Sequence, residues 1–164
     1  MGKGSGLAVV ALILALGGLG IGGYMLITNM TTPGVHRSYY DERTTNYTSG
    51  SEDTWYDIPD ISINFQVDAG ESVHFLFTCR ANLVASSGLV YMHFVLNVDD
   101  FRVVQSQATV GHNEGATINT ISFSVALQFT NTTMSAGVHT VVVEHMRECS
   151  GFIDNCALFV QTYS

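Results

Sequence analysis

The chain has 164 residues, 46% hydrophobic and only 12% charged, with fourteen acidic against six basic side chains and a net charge of −8. From Thr28 onward the imbalance is steeper, five arginines facing all fourteen acidic residues for a net charge of −9. That sign excludes a nucleic-acid-binding surface, and the length beyond Thr28 suits one core rather than several domains.

Leu7–Ile27 (LAVVALILALGGLGIGGYMLI) is an apolar run without a charge. As a helix it would span ~31 Å, the hydrocarbon thickness of a bilayer. A cleaved signal peptide has a shorter apolar region followed by a small-residue site, and Thr28-Asn29-Met30-Thr31 offers none. Residues 1–27 therefore read as a retained signal-anchor transmembrane helix, its partner the lipid bilayer. Gly18 and Gly22 form a GxxxG pair that lets two helix backbones approach closely. Lys3 precedes the run and the first charge after it is Arg37, which puts the amino terminus inside and Thr28–Ser164 outside. Gly6 stands where a myristoylation signal needs a hydroxyl residue. Lys3-Gly4 ahead of an apolar helix resembles the processing site of archaeal type IV pilins. The resemblance implies cleavage after Gly4 and a filament subunit.

Residues 28–57 read as a polar linker arm, with Pro33-Gly34 and Ser49-Gly50-Ser51 and no sustained period. Tyr39, Tyr40, Tyr47, Trp55 and Tyr56 are more aromatics than a solvated spacer needs. They make the segment an interaction arm that packs on the head or on a neighbouring chain. Asn29, Asn46 and Asn131 each open an Asn-x-Ser/Thr sequon on the expected outer side and are glycosylation candidates.

From Ile58 the hydrophobic period is two. Ile61, Ile63, Phe65 and Val67 share one face, a turn follows at Asp68-Ala69-Gly70, and Val73, Phe75, Phe77, Cys79, Ala81 and Leu83 share the next. Ser86-Ser87-Gly88 is a turn and Leu89–Val98 a strand. Asn97-Val98-Asp99-Asp100 makes a tight hairpin into Phe101–Val104. Residues 111–115 form a loop, Ile121–Phe129 a long strand, and Asn131–Gly137 another loop. Thr140–Met146 is a strand, Glu148–Cys156 a loop, and Ala157–Tyr163 the last strand. Residues 58–164 are thus an all-β antiparallel sandwich or jelly roll.

These features resemble the C1q/tumour-necrosis-factor-like jelly rolls: the Ile58 strand and its glycine turn, the long Val73–Leu83 strand, the Tyr91–Val104 hairpin, and Ser135–Thr140 leading into the penultimate strand. The resemblance implies a homotrimer, in some members membrane-anchored in this orientation, that binds proteins or glycans at its rim.

Cys149 and Cys156 flank the last expected loop, outside the membrane, and are expected to form a disulfide. Cys79, between Phe77 and Ala81, is expected to be a buried, inert thiol. His139 and His145 share a strand face but lie ~20 Å apart, too far to hold one ion, so no metal or other cofactor is expected. No nucleophile elbow, phosphate loop or CxxC is present, and no catalytic set emerges. The expectation is a non-catalytic surface or attachment protein, a membrane-anchored homo-oligomeric head of the envelope or virion-spike type that binds a protein or glycan at its loops. The alternative is an extracellular filament subunit whose arm or helix joins a neighbour.

Overall fold

A computed structural model of the chain describes residues 34–48, 52–85, 88–114 and 119–164. The expected membrane helix, with Gly18 and Gly22, and the Asn29 sequon lie outside these residues. The described residues build eight strands: β1 (Val35–Arg43), β2 (Tyr56–Val67), β3 (Ser72–Ala85), β4 (Gly88–Val98), β5 (Phe101–Glu114), β6 (Asn119–Asn131), β7 (Gly137–Arg147) and β8 (Ser150–Tyr163). One sheet has the order β1-β8-β3-β6 and the other β2-β7-β4-β5. Each sheet mixes early and late strands, as two Greek keys folded onto each other require. The fold is an eight-stranded antiparallel jelly roll.

Alternation drives the closure. Ile61, Ile63, Phe65 and Val67 of β2 face inward against Val73, Phe75, Phe77, Ala81 and Leu83 of β3, none more than 5% exposed. Val90, Met92, Phe94, Leu96 and Val98 of β4 do the same from the second sheet. Phe77 and Phe94 meet across the core with ring centroids 6.3 Å apart. Each such burial contributes roughly 1.5–3 kcal/mol.

Several boundaries differ from the sequence reading. The arm contains β1, which hydrogen-bonds to β8 of its own chain, so part of the expected 28–57 linker belongs to the sandwich. β1 shows no apolar face because polar side chains hold it. The Tyr39 hydroxyl accepts from Gln66 N at 3.1 Å, Asp41 accepts from Ser62 N at 2.9 Å, and Arg43 reaches Pro59 O at 3.0 Å and Asp60 at 2.5 Å. β5 runs on through the expected 111–115 loop to Glu114, paired with Gly88.

The largest correction concerns Glu148–Cys156. Only Glu148 and Cys149 turn the chain, and β8 is extended from Ser150. Asn155 takes a left-handed φ of 49° and shifts the β3–β8 register between Thr78 and Arg80. This one-residue bulge breaks the period of two, so Ile153 before it and Cys156 after it both face the core. The expected Cys149–Cys156 disulfide is accordingly absent. All three cysteines are free, and seven extended residues put those two roughly 23 Å apart. Gly151 lies so close to β3 that an added Cβ would collide with the Asn82 carbonyl oxygen.

Candidate functional site

One end of the sandwich carries a cleft of about 450 Å³, lined by residues of β3, β6, the β4–β5 turn and the β6–β7 loop. Its apolar wall comes from Phe75 and Phe129, cross-strand partners whose rings stack at 6.3 Å. Phe65 meets Phe75 edge-on at 5.6 Å. Met134 packs on the core from the loop above. Phe101 stands on the rim 78% exposed.

The β4–β5 connection is a two-residue hairpin, Val98 pairing with Phe101. Asp99 and Asp100 both take positive φ, 51° and 65°, as a primed turn demands. The hairpin expected from sequence is there, and its first aspartate does more than turn the chain. One Asp99 carboxylate oxygen accepts from Thr140 N at 2.8 Å and the other is 2.6 Å from His139 Nδ1. Asp99 N in turn donates to Thr140 O at 3.0 Å. His139 Nε2 lies 2.9 Å from the Ser135 carbonyl oxygen.

With an acceptor at each nitrogen, the imidazole ring can donate to both only when it is protonated. Burial alone would lower its pKa, but the bonds to Asp99 and Ser135 outweigh burial and raise it above 6.5. Burial likewise works to raise Asp99, while His139 and the Thr140 amide bring it below the ordinary carboxylate value. The His139–Asp99 pair clips the β4–β5 turn to β7 and the β6–β7 loop, and thereby holds the cleft's shape.

The same end is tied by a second network. Glu71, 3% exposed, accepts from Asp68 N at 2.7 Å and pairs with His36 and Arg37. Arg37 also bonds Asp68. These contacts fasten the start of β1 to the β2–β3 turn. The Glu71 pKa is lowered: burial works against ionisation, and the Asp68 amide, His36 and Arg37 prevail.

The residues singled out from sequence are dispersed. Tyr39 packs edge-on to Phe65 at 6.3 Å and Tyr40 bonds Glu42. Tyr47 bridges to Ile153 by two 2.8 Å backbone bonds, and its ring meets the buried His145 at 5.3 Å. Trp55 lies against the second sheet, with the Arg102 guanidinium 5.2 Å from its ring centroid and His93 at 6.3 Å. Tyr56 O accepts from His145 Nδ1 at 3.2 Å. The aromatic arm thus packs on its own head. Asn46 is exposed. Asn131 lines the cleft and accepts from Thr133 N at 2.9 Å. Cys149 lies by Tyr91 O at 3.8 Å, remote from the cleft. Among the described residues no group of three or more His, Cys, Asp or Glu is placed to hold a metal.

Phe101 and the Asp99–His139 pair were missed as site residues. The pair joins positions forty apart in sequence, and only the strand order brings them together. Phe101 had a usable signal, a large aromatic directly after a two-aspartate turn.

No protein-family model matches the chain, and no curated protein matches it either. Solved structures similar to it include dimeric latent PorU from Porphyromonas gingivalis, at a TM-score of 0.42 and 7% identity over 84% of this chain. Another is the infectious bursal disease virus Gx strain, at a TM-score of 0.36 and 16% identity over 78% of this chain. The chain spans only 13% and 32% of those two chains. Similarity at that level carries nothing about function.

Proposed function

We propose that this chain is a non-catalytic, membrane-tethered surface protein whose jelly-roll head works by assembly, copies meeting through the rim and cleft around Phe101. The observation that carries this reading is Phe101 itself, 78% exposed beside a cleft walled by Phe75 and Phe129. An apolar knob and an apolar hollow on one surface are complementary between two copies. Val104 and Val138 of the same sheet are also exposed, 68% and 74%. The tether is the apolar Leu7–Ile27 run, with the head on the outer side as the charge flanks require. A closed oligomer would suit the C1q/tumour-necrosis-factor-like resemblance. If the contact instead repeats head to tail without closing, it builds a filament.

The test is light scattering of the full-length chain in detergent, wild type against Phe101→Ser. The wild type should form a discrete oligomer or strings, and the variant should remain single with an unchanged circular dichroism spectrum. Association that survives Phe101→Ser, or a wild type that stays single at high concentration, would discard the reading. Partition of the wild type into the aqueous phase, away from detergent, would remove the tether.

A further inference from the structure

We propose that Cys79 and Cys156 are a preformed dithiol that closes into a cross-strand disulfide joining β3 to β8. The pair lies away from the cleft and does not depend on the assembly reading. Thr78 pairs with Ala157 and Arg80 with Asp154, so Cys79 faces the two bulge residues Asn155 and Cys156. Asn155 is turned to solvent, which leaves Cys156 on the same inner face as Cys79. The two are 5% and 2% exposed, buried on the same inner face of adjacent strands. Directly opposed positions on antiparallel neighbours bring Cβ atoms to about 4.5–5.5 Å. A disulfide needs about 3.5–4.5 Å, so closure asks for a small inward movement at a bulge.

The bulge is what creates the pair. Were β8 to alternate regularly from Ile153 with no bulge, Asn155 would face Cys79 and Cys156 would turn outward. The neighbouring Cys156, reinforced by burial, raises the Cys79 pKa and favours the protonated thiol in the folded protein. Since the thiolate is the attacking species, closure belongs to folding, as β8 pairs with β3 and before the two thiols are fully buried.

The oxidant is a small disulfide such as oxidised glutathione. One protein thiolate attacks a glutathione sulfur and releases one glutathione thiolate. The second protein thiolate attacks the protein sulfur of the mixed disulfide, forms the Cys79–Cys156 bond and releases the other glutathione. Two thiol protons leave the protein, and its two electrons end on the two glutathione thiols.

The experiment refolds the full-length chain into detergent micelles in a glutathione redox buffer. Free thiols are then alkylated and peptides mapped without reduction. The expected product links Cys79 to Cys156 and carries the alkyl label on Cys149. Because the bridge closes a loop of ~80 residues, adding reductant should lower the melting midpoint by roughly 10 °C or more. Cys149→Ala should leave both the link and the shift unchanged. Alkylation of both Cys79 and Cys156 in a chain refolded to its native circular dichroism spectrum would overturn the proposal. So would a link from Cys149 to either one. The mapping uses the unmutated chain, so the result does not hang on whether a cysteine variant folds.

Discussion

In the β1-β8-β3-β6 sheet, β3 pairs with β6 from Val73 to Ala85 without a shift, and with β8 with one shift at the Asn155 bulge. The β2-β7-β4-β5 sheet is less regular. Its β2 loops out between Asp57 and Ser62, and its β5 between Val103 and Ala108, four residues in each case opposite one on the partner. Both irregular strands are edges. A bulged edge offers no flat row of donors and acceptors to a stray strand, and it frees the adjoining chain to build other features. Phe101, Arg102 and Val103 of the candidate site open β5 just before its bulge. The regular sheet supplies the frame, and the irregular one carries, among the described residues, four exposed large hydrophobic residues, Leu89, Phe101, Val104 and Val138.

That contrast can be broken most forcefully in the frame. Phe77→Ala empties the contact with Phe94 and should cost about 3–5 kcal/mol, read as a large fall in the denaturation midpoint.

Acid should act next, through β7 of the irregular sheet. Burial first of all lowers the His145 pKa, with Arg147 adding to it, to about 4 against 6.5 unfolded. Between those values the unfolded chain binds more protons, so stability is complete above pH 6.5 and is lost as pH falls towards 4. The loss is roughly 3 kcal/mol. His145→Leu should flatten this part of a stability–pH curve. His139, six residues earlier on the strand, has the opposite sign. Its raised pKa means that its stabilisation is complete below 6.5 and fades as pH rises through the folded value. A His139→Gln chain should therefore lose stability relative to wild type at pH 5.5 more than at pH 9.

A smaller change targets the β5 bulge. Ser106, 4% exposed, accepts from Leu96 N at 2.9 Å and donates to Val103 O at 2.7 Å. Ser106→Ala should cost about 1–2 kcal/mol, and faster hydrogen exchange at the Leu96 amide would locate the damage. The smallest effect on stability belongs to Phe101→Ser, within about 0.5 kcal/mol, even though that residue is the one expected to govern association.

Much of the architecture is set by the sequence alone. Period-two patterning of Ile61–Val67 and Val73–Leu83 can bury its apolar face only as a sheet against another sheet. Asp99-Asp100 between two apolar runs has to turn tightly. What escaped the one-dimensional pattern were elements whose stability is not apolar. β1 is held by Arg37, Asp41 and Arg43 reaching a side chain, a backbone amide and a carbonyl far along the chain. The first half of β8 hides because one bulge residue reverses its alternation. Strand order was likewise decided only in three dimensions, because it depends on which of several similar apolar faces pack best together. It is that order which sets Cys79 beside Cys156 rather than Cys149 beside Cys156, and His139 beside Asp99, since contacts between residues forty or eighty apart leave no local signature for a periodicity to reveal.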